Sequence, residues 1–158
     1  MGKKSRDKGA RLERWTRKML TSVSGCTWVR TEGGRRQYFG DVVPKGAAPE
    51  PWDALFIECK DHADVHPGHL IRPNKKLREW WETACEQAKD VELRPVLVVN
   101  FARCGKIAIA SREEVELFGP DEDWRESRTH ETFTARLALY RSPYAIDVTD
   151  LGPASSPS

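Results

Sequence analysis

The chain has 158 residues, 39% of them hydrophobic and 32% charged, and a net charge of +2. That is enough chain for one domain with its own core, and no apolar run approaches the roughly 18 residues of a membrane span. The basic start lacks the apolar stretch of a secretory signal, and the four cysteines are too scattered for a zinc knuckle or a disulfide framework; both point to a cytoplasm.

In chain order, residues 1–8 are expected as a flexible basic arm. Leu12, Trp15, Met19, Leu20 and Val23 then recur at helical spacing, predicting an amphipathic helix over about 8–23, with Asp7 as its cap and Gly25 as its stop. A short strand follows at 27–31, then a turn, Glu32-Gly33-Gly34-Arg35-Arg36. Residues 39–43 read as a second strand closed by Pro44, residues 45–51 as a loop, and 54–60 as a third strand that ends in charge. A second helix is expected from Pro73 to about residue 89, with Leu77, Trp80, Trp81, Ala84, Cys85 and Ala88 on one face. Residues 95–100 read as a buried strand and 106–110 as another. Ser111-Arg112-Glu113-Glu114 has the form of a capping box opening a short helix. The order α-β-β-β-α-β-β-α predicts an α/β fold, one mixed sheet flanked by helices. Residues 9–150 form the expected domain and 151–158 a frayed tail.

Charge is segregated along the chain. Residues 1–36 carry eleven Lys and Arg against three acidic side chains, whereas 112–150 carry five basic and ten acidic. The basic segment fits phosphate contact and plain solvation equally well. The acidic tract reads as a solvated face.

The most informative segment is Gly40-Asp41 with Ile57-Glu58-Cys59-Lys60. Alternate strand residues share a face, so Glu58 and Lys60 project together and Cys59 points away. Asp41, on the neighbouring strand of a hairpin, is placed to stand beside Glu58. Asp53 lies five residues from Glu58, which on one strand means the opposite face. Two carboxylates and a lysine suit phosphodiester hydrolysis: hard oxygens hold Mg²⁺, the ion polarises phosphate and acidifies a bound water, and the lysine orients that water. The Cys59 carbonyl is one more candidate oxygen. His62, His66 and His69 follow in a loop, but tetrahedral zinc partners are not evident. Trp80 and Trp81 read as core or interface; for Trp52 and Tyr38, packing and DNA contact both stay open.

The pattern Asp41…Glu58-x-Lys60 resembles the PD-(D/E)xK nuclease superfamily. Lys8-Gly9-Ala10-Arg11-Leu12-Glu13-Arg14, Trp28-Val29-Arg30-Thr31, Gly40-Asp41-Val42-Val43 and Phe56-Ile57-Glu58-Cys59-Lys60 together resemble archaeal-type Holliday junction resolvases, phage-encoded members most closely. The resemblance implies a restriction-endonuclease-like core and a homodimer that cuts four-way DNA junctions with Mg²⁺ or Mn²⁺ in a host cytoplasm. It implies that Glu13 joins Asp41 and Glu58 at the metal, and that Arg14 and Arg30 hold DNA phosphates; Arg35 and Arg36, in the basic turn, are expected to hold phosphates as well. Gln87 resembles a helical glutamine that supports related sites. The turn before Asp41 and the loop 44–53 are longer than in the archaeal pattern. A restriction-like or repair endonuclease, or an inactive junction-binding protein, are the alternatives.

Overall fold

The computed structural model describes residues 3–31, 39–66, 69, 75–101, 105–118 and 144–147. Its elements are α1 (Lys3–Ser24), β1 (Trp28–Arg30), β2 (Val42–Pro44), β3 (Leu55–Asp61), α2 (Lys75–Asp90), β4 (Arg94–Phe101), β5 (Gly105–Ala110), α3 (Arg112–Val115) and β6 (Tyr144–Asp147). One-turn 3₁₀ helices occupy Trp52–Ala54 and Glu116–Phe118.

The strands form one mixed sheet in the order β1-β2-β3-β4-β5-β6. All neighbours are antiparallel except β3 and β4, which run parallel through seven residue pairs, Leu55↔Arg94 to Asp61↔Asn100. A parallel pair needs a crossover, and α2 lies in it. Val96, Leu97, Val98 and Val99 are all buried, as expected of a central strand covered on both faces.

α1 buries Leu12, Met19 and Leu20 of the predicted stripe, and Thr16 beside them; Trp15 and Val23 are half-buried. It starts at Lys3 rather than near residue 8, so most of the expected arm is helical, and Asp7 sits inside the helix rather than capping it. Gly25 ends α1 with φ +76°, its N–H donating to Thr21 O at 3.1 Å; the left-handed conformation suits glycine. Trp28, fully buried, donates its indole N–H to Ser24 Oγ at 2.9 Å and pins β1 to the end of α1.

Three expectations change. β2 begins at Val42, after Asp41 rather than before it, because Gly40, at φ +108°, bends the chain. The capping box at Ser111 does not form: Ser111 Oγ is buried without a hydrogen-bond partner, and Glu113 and Glu114 pair instead with Arg94. Part of the acidic tract is not a solvated face, since Glu114 is buried, and Tyr144–Asp147 adds β6 to the sheet beside β5. Trp52 packs inside, its ring edge-on to Phe118 at 5.8 Å, so packing is its role. Pro73, Tyr38, Cys104 and the tail 151–158 lie outside the described residues. Among the described residues no helix is long and apolar enough to cross a membrane.

Candidate active site

β3 passes from the core to the surface along its length. Leu55, Phe56 and Ile57 are buried, while Glu58 to Asp61 are half-buried. The charged end of the strand thus emerges where the sheet meets solvent. The alternation holds: Lys60 Nζ lies 3.5 Å from Glu58 Oε1. Cys59 turns the other way, its thiol donating to Thr16 Oγ1 of α1 at 3.5 Å. Burial, then the Asp41 charge, push that thiol well above its usual pKa, so Cys59 is a neutral packing residue.

Asp41 grips β3 on both sides of Glu58. Its backbone N–H donates to Ile57 O at 2.7 Å, and its Oδ2 accepts the Cys59 N–H at 2.8 Å. The carboxylate therefore takes the donor that a longer β2 would have used. Gly40 makes this approach possible. A Cβ there would lie 2.6 Å from Ile57 O and 2.9 Å from Ile57 N. The sequence presented Gly40 only as part of a motif; the structure makes it the spacer that lets Asp41 reach β3.

The two carboxyls are close enough for each to shift the other's protonation. Burial, then the charge of Asp41, push Glu58 up to about 7, against the pull of Lys60. Asp41 is also raised, by burial, against the Cys59 N–H and Lys60. Like charges this close in a half-buried place do not both ionise readily. A hard divalent cation relieves that repulsion, and Mg²⁺ is commonly held by only one or two carboxylates with waters and substrate phosphate. The donor chemistry of Asp41 and Glu58 fits such an ion. Among the described residues no group of three His, Cys, Asp or Glu side chains is close enough to cage a metal.

Glu13 is half-buried on α1, and its Oε2 accepts from Arg30 Nε at 2.9 Å. Arg30 pairs in register with Val42, the neighbour of Asp41, and Thr31 N–H donates to Asp41 O at 3.0 Å. The Glu13–Arg30 pair thus stands on the β1 side of Asp41. Glu13 also lies one turn before Thr16, the residue touching Cys59. Arg14 is exposed on α1, and Arg35 and Arg36 lie outside the described residues. Asp53 is exposed in the one-turn helix that precedes β3, so strand alternation does not decide its place.

Gln87 is not brought to the site. α2 buries Leu77, Ala84 and Ala88, and Gln87 falls on its exposed side near the end of the helix. A glutamine reads the same in sequence on either face of a helix.

Beyond Lys60, His62 Nε2 lies 3.1 Å from Lys76 Nζ, and the His62 ring meets Trp80 edge-on at 6.3 Å. His66 and His69 stack with ring centroids 3.8 Å apart.

A family profile described as "Phage putative PDDEXK endonuclease" matches residues 4–151. No curated protein and no solved structure gives a significant match.

Proposed function

The chain belongs to the phage PDDEXK endonuclease family, and on that premise we propose a divalent-metal-dependent enzyme that resolves four-way DNA junctions from a site at Asp41, Glu58 and Lys60. Membership makes the fold a restriction-endonuclease-like core and the protein a nuclease acting on DNA; such nucleases generally use divalent metals.

The observation that carries the site is the double grip of Asp41 on β3, which fixes its carboxylate beside Glu58 and leaves Lys60 3.5 Å from Glu58. In this reading Asp41 and Glu58 would hold Mg²⁺ or Mn²⁺ with the Cys59 carbonyl, and Glu13, paired with Arg30, would join them only by shifting toward Asp41, since no three such side chains are grouped among the described residues. The bound ion supplies charge neutralisation at the phosphate and a water of lowered pKa. Lys60, half-exposed at the rim, would orient the attacking water and steady the charge that develops on phosphate oxygens. Arg30 is pre-oriented by Glu13, and with Arg14, Arg35 and Arg36 it holds backbone phosphates, so recognition is of shape more than sequence. The preference for junctions and a two-fold dimer rest on the resemblance of the motifs. A symmetric dimer gives two cuts at a fixed separation.

The test compares a mobile four-way junction, a Y-fork and linear duplex of the same sequence with Mg²⁺, Mn²⁺ or EDTA. Paired, metal-dependent cuts in the junction, at rates well above those on duplex, are expected. Equal rates on all three would remove the junction assignment and keep the nuclease. Lys60→Ala is expected to slow cleavage at pH 8 roughly 100-fold while Mg²⁺ still raises the melting temperature. Loss of the Mg²⁺ shift in that variant would make Lys60 part of ion binding instead.

A further inference from the structure

Among the described residues one large apolar side chain is left exposed: Phe39, at 49%. An aromatic ring in water forgoes the burial that drives folding. Phe39 stands two residues before Asp41, which limits the separation of their Cα atoms to about 7 Å. Gly40 between them is locked against the Ile57 backbone, so Phe39 is fixed relative to the carboxylate pair.

The ring lines a groove of about 560 Å³ with Val43, Leu55, Leu93, Lys45 and Asp53. Phe39 and Val43 lie two residues on either side of Asp41 in the chain, so the groove adjoins the segment that carries Asp41, although Asp41, Glu58 and Lys60 do not line it. Its volume lies in the range of small-ligand sites.

We propose that Phe39 and this groove take a nucleobase of the substrate, unstacked from its strand beside the scissile phosphate; this rests on the reading that the protein cuts DNA. The chemistry matches. A flat aromatic ring stacks on any base, because every base has a π-face. Asp53, exposed, accepts from the exocyclic amine of adenine, cytosine or guanine, and Lys45, also exposed, neutralises a flanking phosphate. In intact duplex both faces of each base are covered by its neighbours. At a branch point they are not, so the groove favours branched DNA over linear duplex.

The test uses the full-length protein with Mg²⁺ and a junction whose cut positions have been mapped. Each nucleotide flanking the cut is replaced in turn by an abasic residue. For the wild type, one of these replacements is expected to raise KM roughly tenfold, the size of one base–aromatic stack, with little change in kcat. Phe39→Ala and Phe39→Leu should show that higher KM on the intact junction and no further loss on the abasic one. Phe39→Trp should restore both the low KM and the abasic penalty. A wild-type KM in Phe39→Ala, or an abasic penalty undiminished in it, would overturn the inference and leave the nuclease standing. Failure of the wild type to cut any DNA with either metal would overturn the nuclease reading, and this inference with it.

Discussion

Glu58→Gln is expected to lose DNA cleavage by on the order of a thousandfold, and at the same time to make the metal-free protein more stable above neutral pH. Both effects come from the same geometry. Glu58 is half-buried against Asp41, and its carboxyl is pushed up to about 7 from an ordinary value of 4.5. Between those two values the folded chain binds a proton that the unfolded chain does not, so stability falls as pH rises from about 4.5 to about 7. The full span corresponds to at most about 3 kcal/mol. In EDTA the wild type should therefore melt several degrees lower at pH 8 than at pH 5, and Glu58→Gln should remove much of that difference. Mg²⁺ should raise the wild-type melting temperature at pH 8 by binding the folded state alone, and should do so far less in the variant. Melting curves at the two pH values, with EDTA or Mg²⁺, and single-turnover cleavage read all of this. A Glu58→Gln protein that keeps the wild-type pH dependence and Mg²⁺ response would show that Glu58 is not where the charge is concentrated.

The second large effect is expected at a residue with no functional group. Gly40→Ala adds one methyl, and it would sit 2.6 Å from Ile57 O and 2.9 Å from Ile57 N. Those are backbone atoms of β3, which no rotamer change moves aside. The backbone at φ +108° is also one that alanine rarely adopts. A loss of about 3 kcal/mol is expected, read by urea denaturation. Cleavage should fall further than the unfolded fraction accounts for. To relieve the clash, Asp41 must withdraw from Ile57 O and from the Cys59 N–H, and its carboxylate leaves Glu58. Assayed well below its melting point, Gly40→Ala should cut DNA at least about tenfold more slowly than the wild type. Wild-type melting and cleavage in this variant would mean that β2 can shift freely against β3, contrary to the close approach described above.

The contrast between these two residues shows what the sequence carried. Glu58 and Lys60 were legible because strand alternation is a local rule, and a charged i, i+2 pair at the end of an apolar run is conspicuous. The central strand was legible for the same reason, as an unbroken apolar run, and the stripe of α1 because its period is regular. Asp41 was legible as a partner from the segment that precedes β3, although it stands just before β2 rather than on it. Its contacts were not, because a side chain that substitutes for a backbone acceptor depends on where β2 begins. β6 was missed because Tyr144–Asp147 is four residues long and sits in an acidic stretch; only pairing with β5 makes it a strand. The start of α1 was placed late because Lys3 to Arg6 offer no apolar period, and exposed helix leaves little trace in hydropathy. Gln87 was misplaced because its role was carried over by type rather than by the face it occupies.

The strands lie side by side in the same order in which they occur along the chain. Each newly made strand can therefore dock on the one before it as the chain leaves the ribosome, and no strand has to be threaded between two that are already paired. Assembly can be vectorial, with the growing edge always at the segment most recently translated. The two carboxylates and the lysine all lie within the first 60 residues, but β3, which carries two of them, gains its parallel neighbour only when β4 has been made. The site is then completed well before β6 closes over β5. Until that last strand arrives, β5 offers an open row of amide and carbonyl groups to any other nascent chain, so translation that stops short of residue 144 leaves an assembled site on a sheet with an unprotected margin.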